Sequence, residues 1–184
     1  MYIPYFHVIS HDKDYTFKPQ IFDSEIEMFQ NEYRQINKDS LFIADFGLTK
    51  GYQSSITGSN RNSIGHLFAN FESDLEFENF INSNLSVSVQ KVSNDTYLKV
   101  YNSHITNSIV RPENLNILNN HVKLFLNTES YNFESGIETY ENLQAIDTDR
   151  YQYVFPYYNF DKILNDNFLN GIVQFYSTGT NSLN

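Results

Sequence analysis

Histidine is the side chain best able to offer a metal a nitrogen ligand, and the chain has five: His7, His11, His66, His104 and His121. None forms a ligand pair on a helix face, so they are read as scattered side chains and no metal site is expected. Cysteine is absent, which removes a thiolate ligand set, a catalytic thiol and a disulfide framework. Carboxylates are plentiful, and two of them could in principle act as acid and base in glycoside cleavage. Nothing sets their separation, and a solvated strand face accounts for them. With 7 glycines there is no glycine-rich phosphate loop, and no Gly-x-Ser-x-Gly elbow occurs. No catalytic residue, no cofactor and no enzymatic activity is therefore expected.

The elements around these residues are strands. Aromatics make up 16 % of the 184 residues, yet only 40 % are hydrophobic and mean hydropathy is −0.47. That combination arises when apolar and polar residues alternate; a disordered acidic chain has few aromatics. A net charge of −10 argues against a duplex nucleic-acid partner, whose phosphates call for basic patches. No apolar run of about 18 residues occurs, so no membrane-spanning helix is expected. The start "MYIPYFHVIS" lacks the marks of a signal peptide. Such a chain is cytoplasmic or a piece of a longer exported one. No linker divides it, so 1–184 reads as one segment.

Period-two runs recur throughout. Tyr15, Phe17, Pro19 and Ile21 share a face. Leu67, Ala69, Phe71, Ser73, Leu75 and Phe77 oppose His66, Phe68, Asn70, Glu72, Asp74 and Glu76. Leu85, Val87 and Val89 oppose Ser86, Ser88 and Gln90; Val122, Leu124 and Leu126 oppose His121, Lys123 and Phe125. Tyr131, Phe133 and Ile137 oppose Asn132, Glu134 and Glu138. "EIEMFQNEYRQI" could be a helix, but Phe29, Asn31, Tyr33 and Gln35 fit the strand period and strand is preferred. Turn residues at Asp23-Ser24, 37–40, "SSITGSNRNS", "INSN", "NTES", "DTD" and "NDN" suit short antiparallel connections. The result is about ten strands, many reaching the roughly 9–11 residues that a tilted strand needs to cross a bilayer. The fold expected is all-β, an antiparallel up-and-down meander forming part of a transmembrane β-barrel. Polar second faces suit a barrel and a soluble sandwich alike; strand length and the aromatics near strand ends, where tyrosine rings can sit at headgroup level, favour the barrel.

Pro4 and Pro19 fall in strand-like runs, and a proline cannot donate to a ladder. Each could simply mark a strand end or an edge, as could Pro156 in "YVFPYY"; Pro112 belongs to a loop. The longest break, about 93 to 114, opens with Ser93, Asn94 and Asp95 and then offers Tyr97.

These residues resemble a known family. "IPYFHVISHDKDYTFKPQIF" resembles the opening of the β-barrel of the lipopolysaccharide-assembly outer-membrane protein LptD, in Pro4-Tyr5-Phe6, Asp14 and Thr16-Phe17-Lys18-Pro19. Glu32, Tyr33 and Arg34 resemble its Glu-aromatic-Arg strand. "VSNDTYLKVY" is similar to its Val-Ser-Asp-x-x-Tyr signature through Val92, Ser93, Asp95 and Tyr97. Asp149, Arg150, Tyr151 and Pro156 resemble a later block. The motifs run in family order over most of the chain but cover only the first part of a much larger barrel, so the chain reads as a fragment.

The resemblance implies an outer-membrane conduit. Its partners would be lipopolysaccharide, an LptE-type lipoprotein plug and a periplasmic bridge reached through a preceding domain. It also implies a lateral gate, weakened at Pro4 and Pro19. A further family proline is replaced here by His11. A strongly acidic inner face opposes a phosphorylated cargo unless divalent cations or further strands compensate. Ser93, Asn94 and Asp95 would be the exit of a spanning strand, with Tyr97 an interfacial anchor at the rim, or else a plain polar turn. Two alternatives stand beside this reading: a soluble all-β sandwich binding carbohydrate through exposed tyrosines, and an unrelated outer-membrane barrel.

Overall fold

The computed structural model describes residues 3–22, 27–51, 63–168 and 171–183. Ten strands follow in order: β1 Tyr5–Ser10, β2 Lys13–Ile21, β3 Glu27–Ile36, β4 Ser40–Lys50, β5 Ser63–Asp74, β6 Asn82–Val92, β7 Ile117–Asn127, β8 Tyr131–Asn142, β9 Tyr151–Phe168 and β10 Gly171–Leu183. Each pairs antiparallel with the next, in one open sheet of order β1 to β10. A sandwich would need a second sheet, and none occurs among the described residues. The expected meander is therefore observed, and "EIEMFQNEYRQI" supplies β3. The turn stretches expected at Asp23-Ser24 and over "SSITGSNRNS" lie outside the described residues, apart from Ser63, which opens β5. "NDN" is not a turn: 165–167 continue β9, and the hairpin reverses beyond Phe168.

Directly paired residues share a face, so the register sorts the side chains. The pairs Pro19↔Phe29, Phe29↔Leu48, Phe46↔Leu67, Ala69↔Val89, Val87↔Val122 and Val122↔Ile137 carry one face across seven strands. Along its middle that outer face is apolar and uncovered, with Phe46, Leu48, Leu67, Val89, Val122 and Ile137 all exposed, while Lys91 and Glu141 share it at one end. The pairs Asp14↔Arg34, Glu72↔Ser86, Ser88↔His121 and His121↔Glu138 carry the inner face, which is polar.

The core lies against the inner face at one end. After β6 the chain forms a short helix, α1 (Tyr97–Tyr101), and turns back to β7. Tyr97, Leu98, Tyr101, Ile105 and Val110 of this segment are buried in one cluster with Met28, Ile43, Ile64, Phe68, Val92 and Leu118 from five strands. The β6–β7 ladder stops at Ser88↔His121. Beyond it side chains bridge the gap: the Gln90 amide N–H donates to Asn120 Oδ1 at 2.6 Å, and the Asn119 N–H to Gln90 Oε1 at 2.8 Å. The inner-face Ile43, drawn into this core, explains why "LFIADFGL" of β4 alternates less cleanly than a two-solvent strand would.

Pro156 marks neither a strand end nor an edge. It lies within β9, paired on both sides, where Phe155 and Pro156 stand against a single residue of β8 and of β10. This is a bulge, the one interior position where a proline removes no ladder bond.

Candidate functional site

Three parts of the sheet carry functional-type side chains. The first is the inner wall of β2 to β5. Lys18 Nζ donates to Glu32 Oε2 at 3.1 Å, with both side chains about nine-tenths buried. Arg34 donates to Asp14 Oδ1 at 2.9 Å and lies 3.7 Å from Glu32. Glu32 and Arg34, two residues on which the resemblance was based, therefore sit in one ion-pair chain. Tyr33, between them, faces outward beside Phe42.

One step along the same wall, a hydrogen-bonded chain crosses to the inward segment. Gln30 Nε2 donates to Asp45 Oδ2 at 2.8 Å, His66 Nε2 lies 3.1 Å from Asp45 Oδ1, and His66 Nδ1 lies 2.7 Å from the Tyr97 hydroxyl. Gly47 makes room for it, since a Cβ there would stand 2.4 Å from His66 Cε1. On its other side the imidazole stacks on Phe68 at 4.4 Å. Burial, reinforced by the charge of Asp45, pushes the Tyr97 phenol well above the ordinary tyrosine range, so it stays a neutral donor. A hydroxyl–imidazole–carboxylate relay can move protons in an open site. Here the His66 and Asp45 side chains and Tyr97 are all sealed from solvent, so the relay fastens the segment to the wall.

Tyr97 was expected at a rim. It is instead among the most buried side chains of the molecule, because the segment turns inward and its aromatic becomes the centre of the core. Nor is it an incidental tyrosine in a polar turn.

The second part joins two motif blocks. Arg150, closing a 3-10 turn at Asp147–Arg150, donates to Asp95 Oδ1 and Oδ2 at 2.7 and 3.1 Å and to Glu141 Oε1 from two nitrogens at 2.7 and 3.0 Å. Glu141 also receives Lys91 Nζ at 2.7 Å and the Tyr151 hydroxyl at 3.1 Å. Asp95, Arg150 and Tyr151 are thus brought together. Asp149 is exposed, and its carboxylate meets only Thr148 at 3.5 Å among its described hydrogen bonds. Glu141 and Lys91 were not anticipated; a carboxylate at the end of an alternating run gave no signal of its hub position.

The third part is the β1 edge. The β1–β2 ladder begins at Tyr5↔Phe17. Pro4 lies just ahead of β1 and not within it, and Pro19 lies two residues beyond Phe17 in β2, opposite Phe29. The two prolines bracket the point where this ladder stops. His11 forms the β1–β2 turn with Asp12, whose carboxylate accepts the Ser10 hydroxyl at 2.5 Å.

The inner wall is less acidic than its carboxylates alone imply, since Lys18, Arg34 and Lys123 pair with Glu32, Asp14 and Glu138. Between wall and segment lies a cleft of about 550 Å³, lined by Asn70, Ser88, Gln90, His121, Tyr140 and Arg111 among others. Among the described residues no helix is long and apolar enough to cross a membrane, which says nothing of a β-barrel. Among the described residues no cluster of His, Asp and Glu has the make-up of a metal site. No family model matches the chain, and comparison with curated proteins finds no match.

Proposed function

We propose that the chain is wall and edge of an outer-membrane β-barrel of the LptD type, delivering lipopolysaccharide to the outer leaflet. The observation that carries this reading is the division of a single sheet into an uncovered apolar face and a polar face. Water on both sides leaves exposed Phe46, Leu48, Leu67, Val122 and Ile137 without a partner phase; hydrocarbon outside and water inside satisfies both faces. Its location would be the outer membrane, with an LptE-type lipoprotein sharing the interior and a periplasmic bridge feeding it. The prolines bracketing the end of the β1–β2 ladder fit an edge strand that parts at low cost. The engagement of Glu32, Arg34, Asp95, Arg150 and Tyr151 in ion-pair networks fits the resemblance of their motifs.

No cysteine within residues 1–184 competes with labels placed there, once any cysteine elsewhere in the full-length protein is replaced. Single cysteines placed along β5 to β8 are spin-labelled in the full-length protein in lipid bilayers. Positions 67, 87, 122 and 137 should collide with lipid-soluble oxygen, and positions 72, 86, 121 and 138 with a water-soluble nickel chelate. Loss of that alternation ends the membrane reading. Photo-crosslinkers at positions 70, 88 and 121 then address the cargo. Lipopolysaccharide adducts support the transport reading, whereas alternation without adducts favours an unrelated barrel. Replacing Pro4 and Pro19 together should slow lipopolysaccharide delivery; undiminished delivery removes their role.

A further inference from the structure

β6 and β7 part beyond Ser88↔His121, and the cleft of about 550 Å³ lies at that fork, between the wall and residues 109–114 of the inward segment. Its wall side is built from uncharged polar side chains: Asn70, Ser88, Gln90, Asn119 and His121. Two of them are incomplete. Asn119 Oδ1 and His121 Nδ1 are buried and have no hydrogen-bond partner among the described residues. Folded proteins leave few buried polar atoms unpaired, so each such atom asks for an explanation.

The hydrogen bonds already made fix what the cleft still offers. Asn70 Oδ1 accepts the Ser88 hydroxyl at 2.9 Å, and Gln90 Oε1 accepts the Asn119 N–H at 2.8 Å. Both amides therefore keep their nitrogen, a donor, for a ligand. Asn119 offers an acceptor, Oδ1. His121 offers Nδ1, as donor or acceptor according to how Nε2 meets the Ser86 hydroxyl 3.5 Å away. Carboxylates and phosphates only accept, so they leave Asn119 unmet. An ammonium only donates, so it meets neither amide nitrogen. A hydroxyl does both. Charge points the same way: Arg111 donates to Asn102 Oδ1 at 3.0 Å, and Glu113 beside it in the lining offsets its charge. Ile109, Ile117 and Tyr140 add apolar surface for the C–H face of a ring. The volume falls within the roughly 300–1,000 Å³ of small-molecule sites.

We propose that this cleft is a binding site for an uncharged saccharide, whose neighbouring hydroxyls pair with Asn70, Gln90, Asn119 and His121. The inference rests on these hydrogen-bonding groups and not on the membrane reading. Loss of sugar binding leaves the spin-label alternation of the faces standing, and loss of that alternation leaves the site standing.

The test uses the full-length protein in a zwitterionic detergent free of sugar, with any cysteine outside residues 1–184 replaced. Ile109 lines the cleft and is 68 % exposed; Ile81 is 60 % exposed and lies in the turn between β5 and β6, at the end away from the fork. Alkylation rates of Ile109→Cys and Ile81→Cys are measured with maltose, lactose or cellobiose. At about 100 mM, at least one disaccharide should slow the reaction at 109 about threefold or more and leave 81 unchanged. Inorganic phosphate should protect neither. Adding Asn119→Leu to Ile109→Cys should return the rate to its value without sugar. Both cysteines replace exposed side chains, so the sugar and phosphate arms decide the proposal even if Asn119→Leu does not fold. Protection by a disaccharide assigns a free sugar; protection by dodecyl maltoside alone assigns a sugar carried on a lipid chain. Protection by no sugar in either form, or equal protection by phosphate, overturns the proposal.

Discussion

Arg150 and Asp95 stand 55 positions apart in the chain and meet in a two-point ion pair at 2.7 and 3.1 Å. The same guanidinium grips Glu141, whose side chain is only 3 % exposed, so one residue fastens the exit of β6, the end of β8 and the entry to β9. Its charge is held further above the ordinary arginine range by those two carboxylates, Asp95 first, so it is a fixed cation at every pH the fold survives.

Removing the two ends of this link should have unequal effects. Arg150→Gln leaves a buried carboxylate with Lys91 and Tyr151 alone, and should lower stability by about 2 kcal/mol. Asp95→Asn acts at a side chain that is half exposed and should cost about 0.5–1 kcal/mol. Urea unfolding midpoints of both variants and of the double variant measure the coupling. Two variants indistinguishable from the parent would mean the pair holds nothing.

Gly47 is required by His66. A Cβ at 47 would stand 2.4 Å from Cε1 and 2.8 Å from Nδ1 of that ring, so the imidazole must leave its place. Displacing it breaks the bonds to Asp45 and Tyr97 together. Gly47→Ala should therefore lower stability by about 1–3 kcal/mol. His66→Ala should cost less in that background than in the parent, because the damage is shared. Additive effects in the four-member cycle would refute the contact. Gly136→Ala should be at least as harmful, since its Cβ would face the Val122 carbonyl oxygen at 2.6 Å, which no rotamer can move away.

Tyr97 links stability to alkaline pH. Its phenol is raised in the folded protein by burial. A raised group contributes stability that is whole below its unfolded value, about 10, and is lost as pH climbs through the folded value. The parent should lose stability above about pH 10. Tyr97→Phe should lose less on that limb, while starting about 1–2 kcal/mol lower because His66 Nδ1 is left buried without the hydroxyl. Unfolding midpoints from pH 7 to 11 give both numbers. Parallel alkaline limbs would show that Tyr97 is not the group responsible.

The faces were legible because the period of two survives in the letters. Leu85, Val87 and Val89 against Ser86, Ser88 and Gln90 require no partner to be read, and the register set them as alternation implied. The inward segment was not legible. Between 93 and 116 there is no sustained period, and Tyr97, Leu98, Tyr101, Ile105 and Val110 are apolar at irregular steps around a five-residue helix. Their partners, Met28, Ile43 and Phe68, lie on strand faces that a two-solvent pattern assigns to water. The same gap hid His66. Alternation sets it beside Asn70 and Glu72, and only the segment crossing the wall makes it a sealed hydrogen-bonded side chain. Pro156 was misplaced for a related reason: a bulge is a property of two ladders, and one strand's letters do not contain it.

The medium facing Leu67 is decided by putting a charge there. Leu67 lies on the outer face, paired with Phe46 and Lys91, and is 44 % exposed. In hydrocarbon, Leu67→Lys should lower stability by about 2–4 kcal/mol if the site is near mid-depth, falling to about 0–1 kcal/mol close to an interface. In water the same substitution at an exposed strand position should change stability by no more than about 0.5 kcal/mol. The control is Ser86→Lys, an inner-face substitution that sets an ammonium opposite Glu72. A cross-strand pair of opposite charge should be neutral or slightly favourable there. A series with lysine at 67, 87, 122 and 137 against 86 and 88 then separates the faces by their cost. If lysine is tolerated equally on both, the outer face meets water and the membrane reading fails with it.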